Sequence, residues 1–167
     1  KKITAALKAN SITTFVVDGV TYDKSQDEDA SVAEIPLSAN MVNGSAPWNN
    51  NTAKGPAKTV DNDLSTYFDG VGNGYVQIDL GKIYRLNAVG YAPRNDNNGE
   101  YHKRCNGAMF YGSNNGTDWT RLYTIAETPQ GNVITTKNMD VWETDSNHYR
   151  YIKYTTEGTA NSDKNCN

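Results

Sequence analysis

The chain is short of most things that would announce a chemistry. Its 167 residues hold only two cysteines, three methionines, three phenylalanines and five prolines. Cys105 and Cys166 lie far apart, with no CxxC and no Cys/His cluster, which argues against zinc. No apolar run approaches the ~18 residues a membrane helix needs, so membrane insertion is not expected. The amino terminus also lacks a signal-peptide profile. Charge is scarce as well: sixteen basic against nineteen acidic residues leave a net charge of -3. Such a chain carries no field that gathers nucleic acid or anionic lipid. Catalytic signatures are missing too. No G-x-S-x-G occurs, neither His102 nor His148 stands in a metal-ligand motif, and no glycine spacing suits a nucleotide. No acid ends an apolar strand where burial would tune a general acid. The chain is therefore not expected to be an enzyme.

What is present is eleven tyrosines, fourteen glycines, and many Asn and Thr between short apolar bursts. This describes many short strands joined by turns, an all-β domain long enough for one core. Lys58 to Gly81 (KTVDNDLSTYFDGVGNGYVQIDLG) organises the rest. Asp61, Asp63 and Thr66 crowd a tight bend, and Val76, Ile78 and Leu80 then alternate with Gln77 and Asp79 as in a half-buried strand. The bend reads in two ways: as a hard-cation site built of oxygens, or as a turn in which Asp61, Asp63 and Ser65 bond their own backbone.

The order "A-x-x-x-D-x-D-x-x-T-Y-F-D-G … Y-V-Q-I-D-L-G" resembles the opening of the discoidin, or coagulation-factor type C, domain, most of all bacterial carbohydrate-binding module family 32. YAPR at 91–94, GAMFYGSNN at 107–115, GTDWTRLYTI at 116–125 and YRYIKY at 149–154 follow in that family's order. The resemblance implies a jelly-roll-like β-sandwich and a structural Ca2+ held by Lys58, Asp61, Asp63 and Thr66. The family's pattern adds a carbonyl and a Glu from a last strand that would begin near Asn167. It also implies that the segments carrying Cys105 and Cys166 are neighbours, hence a disulfide and an exported protein.

Lys1 to Val20 alternates in two bursts. These read either as the first strands of the same domain or, by resemblance, as the closing strands of the small β-sandwich that flanks the barrel in several glycoside hydrolases. The expected division is thus 1–22 as the end of a preceding β module or an N-terminal extension, 23–36 as a polar linker, and 37–167 as the discoidin-like domain.

Two stretches are candidates for ligand contact. Trp48 heads an Asn-rich turn, where an indole can stack on the apolar face of a sugar or fold inward as a plug. Arg94 to Arg104 has no aliphatic side chain. Its guanidinium and amides suit sugar hydroxyls, each of which both gives and takes a hydrogen bond, although Arg94 could equally be paired with Asp96 and only order the loop. The resemblance carries the sugar contact to Arg94 and Asn97 or Asn98, with Tyr101 and His102 beside them. The family's usual binding histidine, in an earlier loop, is absent here.

The expected function is non-catalytic carbohydrate binding that holds a covalently linked glycoside hydrolase near a polysaccharide or glycan, in a secreted or cell-surface, bacterial setting. A protein-interaction or adhesion module, and a fragment of an active hydrolase, are the two rival expectations.

Overall fold

The computed structural model describes residues 34–138, 147–158 and 165–167. The strands expected within 1–22, and the linker up to 33, lie outside them. From Pro36 onward the chain forms one compact unit. Among the described residues the elements are strands and short 3-10 turns, with no α-helix. The strands are β1 (Val42–Gly44), β2 (Tyr75–Arg85), β3 (Ala88–Tyr91), β4 (Met109–Ser113), β5 (Thr120–Thr124), β6 (Thr135–Asn138) and β7 (His148–Thr155). A five-stranded sheet runs in the order β1-β2-β7-β4-β5, and β3 pairs with β6 in a second sheet, every pairing antiparallel. This is the all-β architecture that the composition and alternation call for, in the sandwich form that the resemblance implies.

Register explains the core. Val76 pairs with Tyr154, Tyr154 with Phe110 and Phe110 with Tyr123, so one row across the large sheet is apolar. Tyr91 of β3 closes over that row, its ring 5.6 Å from Phe110 and 6.3 Å from Tyr123. The sheets are thus joined by tilted aromatic pairs, worth about 1 kcal/mol each beyond their buried area. Leu122, Ile125 and Phe68 fill the remaining interior.

Tyr84 to Ala92 alternates as one central strand would, yet it forms the end of one strand and the whole of another. β2 kinks at Gly81 (φ 77°), slips register between Asp79 and Tyr84, and ends at Arg85. Leu86 then turns into the core, its N–H donating to the Asn147 carbonyl at 2.9 Å, and β3 begins in the other sheet. A strand that changes sheets keeps its apolar residues inward in both, so its alternation looks continuous. The stretches at 107–115 and 116–125, joined by an Asn-Gly turn, pair as the hairpin β4–β5, and within Gln130 to Asn138 only 135–138 is strand, as β6.

The expected disulfide is absent: Cys105 and Cys166 are free, buried thiols. Cys105 Sγ donates to the Asn167 carbonyl (3.6 Å) and accepts from the Tyr154 hydroxyl (3.7 Å), while Cys166 packs with Phe68, Val76 and Tyr154. Each sulfur thus already has a partner or a packing site of its own.

The sheet leaves no room for a side chain at Gly112, where a Cβ would lie 2.5 Å from the Tyr149 ring. Gly112→Ala should cost about 1–3 kcal/mol by overpacking. The shift should appear in the urea unfolding midpoint with the slope unchanged.

Candidate carbohydrate site

The site grows out of the acid bend. Phe68 is only 2% exposed and plugs the core, so in extended chain its neighbours Tyr67 and Asp69 point the other way. Gly70 bonds the Cys166 carbonyl at 2.8 Å, which fixes this stretch against the last described residues. On the far side, Pro93 is buried after β3 and delivers Arg94 to the same place.

Arg94 is clamped on all sides. Its Nε and one terminal nitrogen donate to the two oxygens of Asp96 (2.6 and 2.8 Å), and the other terminal nitrogen donates to Asp69 Oδ1 (2.7 Å). The guanidinium lies 4.1 Å from the Tyr67 ring centre and 4.5 Å from that of Tyr101, whose ring also has Arg104 at 3.8 Å. Tyr67, Arg94, Tyr101 and Arg104 therefore stack in succession, a cation between two rings and a second one at the end. Asn167 ties the stack at its edge: its amide donates to Asp69 Oδ1 (3.2 Å) and its carbonyl oxygen accepts from Arg104 (3.4 Å). The hydrogen bond from Arg94 holds the Asp96 carboxyl below the usual carboxylate range.

With its side chain 11% exposed, Arg94 lies behind the groups that meet water. Those are Lys54 and Asp96, whose side chains are 37% and 40% exposed. The Tyr67 hydroxyl bridges them, accepting from the Lys54 ammonium and donating to Asp96 Oδ2 at 3.1 Å. Donor, hydroxyl and acceptor thus stand in a row. Trp48, 53% exposed, is anchored to the same cluster by its backbone N–H, which donates to the Asp69 carbonyl at 2.6 Å. Asn49 and Asn50 follow in the left-handed conformation that turns the chain away after the indole. Pro47, on its other side, lines a shallow depression of about 430 Å³ with Val42, Thr52 and Pro56.

Of the residues named from sequence, Trp48, Arg94 and Tyr101 are brought together. His102 is not: its Nε2 meets Asn95 Oδ1 at 2.6 Å, both packed where a Cβ on Gly131 would collide. Asn97 and Asn98 are exposed at a bend with φ of 54° and 55°, so backbone conformation alone accounts for their identity. Lys54, Tyr67, Asp69, Arg104 and Asn167 escaped the sequence reading. The only signal for Tyr67 and Asp69 was their place on either side of a buried Phe.

The bend itself is tightly closed. Thr66 Oγ1 donates to Asp61 Oδ2 (2.6 Å) and lies 3.2 Å from the Asp63 carbonyl, while Lys58 Nζ is 3.1 Å from Asp61 Oδ2. The Asp63 carboxylate turns instead to Ser65, accepting from its N–H (2.9 Å) and its hydroxyl (2.6 Å). The convergent oxygens are of the kind a hard cation takes, and Asp63 would offer its carbonyl. Among the described residues there is no group of three or more His, Cys, Asp or Glu side chains that could hold a metal.

A family model, the F5/8 type C domain, matches residues 41–167. Among curated proteins none matches the chain. Similar solved structures include the CBM62 of Clostridium thermocellum Xyl5A, 26% identical with a TM-score of 0.61 over 75% of this chain and 87% of that one. The CBM32 of AlyQ, solved with 4,5-unsaturated mannuronic acid, is 23% identical with a TM-score of 0.51, covering 68% of this chain and 78% of its own. Chitosan-binding module 1 of a Paenibacillus sp. IK-5 chitosanase/glucanase is 16% identical with a TM-score of 0.51 over 68% and 78%. The last two likenesses concern the fold alone.

Arg94→Gln should destabilise the domain by about 1–3 kcal/mol at neutral pH, the lower half being favoured because Asp96 faces solvent. The Asp96 carboxyl is depressed in the folded state, so its contribution is present above the ordinary carboxylate pKa and lost as pH falls through the lower folded value. The gap between wild type and variant in urea melts should therefore narrow from pH 7 toward pH 3.

Proposed function

Because the chain belongs to the F5/8 type C domain family, we propose that it is a carbohydrate-binding module whose site is the row Lys54, Tyr67 and Asp96 beside Trp48. One observation carries this reading: the exposed Trp48 is tied by its backbone to Asp69, in the same cluster as a donor, a hydroxyl and an acceptor that are held in place from behind. A pyranose has an apolar face of C–H groups and an edge of hydroxyls. Trp48 takes the face, Lys54 gives hydrogen bonds to the edge, and Asp96 accepts them. Arg94 is a brace in this scheme, with Tyr101 and Arg104 stacked behind it. Preorganisation matters because the sugar exchanges water hydrogen bonds for near-equivalent protein ones. Affinity at one site is therefore weak, on the order of tens of micromolar to millimolar.

The site is non-catalytic in this reading. A glycosidase needs one carboxyl free to carry a proton, whereas Asp69 and Asp96 are both committed to Arg94. The benefit of a weak module comes from tethering, since holding an attached hydrolase close to its polysaccharide raises the local concentration of substrate. Structural neighbours that are carbohydrate-binding modules support this arrangement, including one from Xyl5A. Residues 1–22 and 23–36 then belong to a preceding module and its linker, in an exported bacterial protein.

The bend from Lys58 to Thr66 takes Ca2+ in the same proposal. Lys58 and Asp63 would offer carbonyls, Asp61 a carboxylate, and Thr66 a hydroxyl and a carbonyl. The ion would hold the segment just before Tyr67. Melting with and without a chelator checks this: a midpoint that falls by several degrees and returns on adding Ca2+ is expected, and an unchanged midpoint refutes it.

Calorimetric titration with a panel of neutral and acidic mono- and oligosaccharides tests the main reading. Trp48→Ala removes an exposed ring, so the melting temperature should hold while affinity falls at least about tenfold, as expected for ~1–3 kcal/mol of stacking. No heat with any glycan, or full affinity in the variant, overturns the assignment.

A further inference from the structure

The outer face of the large sheet carries side chains that neither the core nor the Arg94 cluster uses. Phe110 and Tyr154 pack together inside, 5.2 Å between ring centres, so Tyr111 and Lys153, their neighbours along β4 and β7, point outward. Register sets Gln77, Lys153, Tyr111 and Arg121 in one row across four strands, and Asp79 and Tyr151 in the next. Trp119, just before β5, leans over the same face: the Lys153 ammonium lies 4.2 Å from its ring and 5.4 Å from that of Tyr111. Arg150 lies 5.0 Å from the Tyr151 ring and is neutralised by Asp79, whose two oxygens accept from it at 2.8 Å each. Lys153 and Arg121, by contrast, form no ion pair among the described residues. Burial among the rings lowers the Lys153 ammonium from its ordinary pKa, and Glu157 opposes that shift only through its field. An ammonium that has lost water without gaining a counter-charge is stabilised by an incoming anion.

What lies on this face must be recognised by side chains alone. β7 and β4 are paired on both sides, so no free backbone is offered for a peptide to add a strand. A polynucleotide needs a run of cations along its phosphates, and two unpaired ones stand here. A pyranose bearing a carboxylate meets both halves of the surface: its C–H face lies on a ring and its carboxylate on a cation. We propose that the outer face of the large sheet is a second binding surface, for acidic oligosaccharides, on which Trp119, Tyr111 and Tyr151 take sugar faces while Lys153 and Arg121 take carboxylates. The two cations flank Tyr111 on strands two apart, about 10 Å between backbones, so an oligosaccharide reaches both where a single sugar covers one. No residue of this surface belongs to the Trp48 site, and the proposal does not rest on that reading.

The test titrates the full chain calorimetrically with hexamers of galacturonic, mannuronic and glucuronic acid, with the methyl esters of the same hexamers, and with a thymidylate decamer and hexaglutamate. At least one acid hexamer should bind, its ester at least about tenfold more weakly, and its affinity should fall as salt is raised through the range that screens exposed charges. Arg121 is exposed, so Arg121→Gln should keep the melting temperature and lose at least about threefold in affinity. Trp119→Ala should lose at least about fivefold. Trp48→Ala should bind the acid hexamer as the wild type does. Failure of every acid hexamer, equal binding of acid and ester, or full affinity in Arg121→Gln overturns the surface. Equal binding of the decamer or of hexaglutamate reduces it to a patch for any anion and overturns the sugar assignment. An acid hexamer lost in Trp48→Ala and kept in Arg121→Gln belongs to the other site. A chain that binds the acid hexamer through Arg121 and no glycan through Trp48 sinks only the earlier reading.

Discussion

A guanidinium between two carboxylates and two phenol rings is the constraint on which the binding end depends. Arg94 joins three stretches distant in sequence: the segment after the acid bend through Tyr67 and Asp69, its own loop through Asp96 and Tyr101, and the residues at 165–167 through the Asp69 carboxylate it shares with Asn167. None of these stretches lies in a strand of either sheet. Each is fixed instead by charge and ring geometry in a site sheltered enough for those terms to count. Removing the cation would leave Asp69 and Asp96 facing one another, so the cluster holds as a unit or opens as one.

The sandwich supplies what this cluster cannot. β2 and β7 are the long central pair, and the aromatic row from Val76 to Tyr123 locks them to β4, β5 and the second sheet. Loops on such a scaffold can be irregular because the strands fix their ends. The acid bend belongs to both parts. It closes through Thr66 and Asp61, and the next residues place Phe68 in the core and Tyr67 and Asp69 in the site. The five-stranded sheet also protects its borders: β1 is three residues long, and β5 carries exposed Thr120 and Arg121.

Much of the fold was legible in the sequence because period-two alternation is local. The strand at 75–80, the hairpin over 109–124 and β7 could all be read from their own residues. The break at Leu86 was not, since a strand passing from one sheet to the other keeps the same alternation. The site was half legible. Trp48 in an Asn-rich turn and Arg94 in a loop without aliphatics are anomalies that sequence displays. Lys54, Arg104 and Asn167 are ordinary residues made special only by who arrives beside them, which is tertiary information. The place of His102 was equally out of reach from sequence: it packs with Asn95 against Gly131, apart from the Arg94 cluster.

Asn49, Asn50, Asn62, Asn73, Asn97, Asn98 and Asn132 are left-handed, and no other non-glycine residue type joins them among the described positions. Asparagine tolerates that conformation where a β-branched side chain would cost of order 1–3 kcal/mol. The amides thus encode the course of the loops, while the tips of Trp48, Lys54 and Asp96 face outward with no such backbone duty on their side chains. On the proposed reading, path and ligand contact are written at different positions, so a lineage could exchange one sugar for another at the second set without redrawing the first. Such a division of labour makes the domain a ready frame for drifting from glycan to glycan.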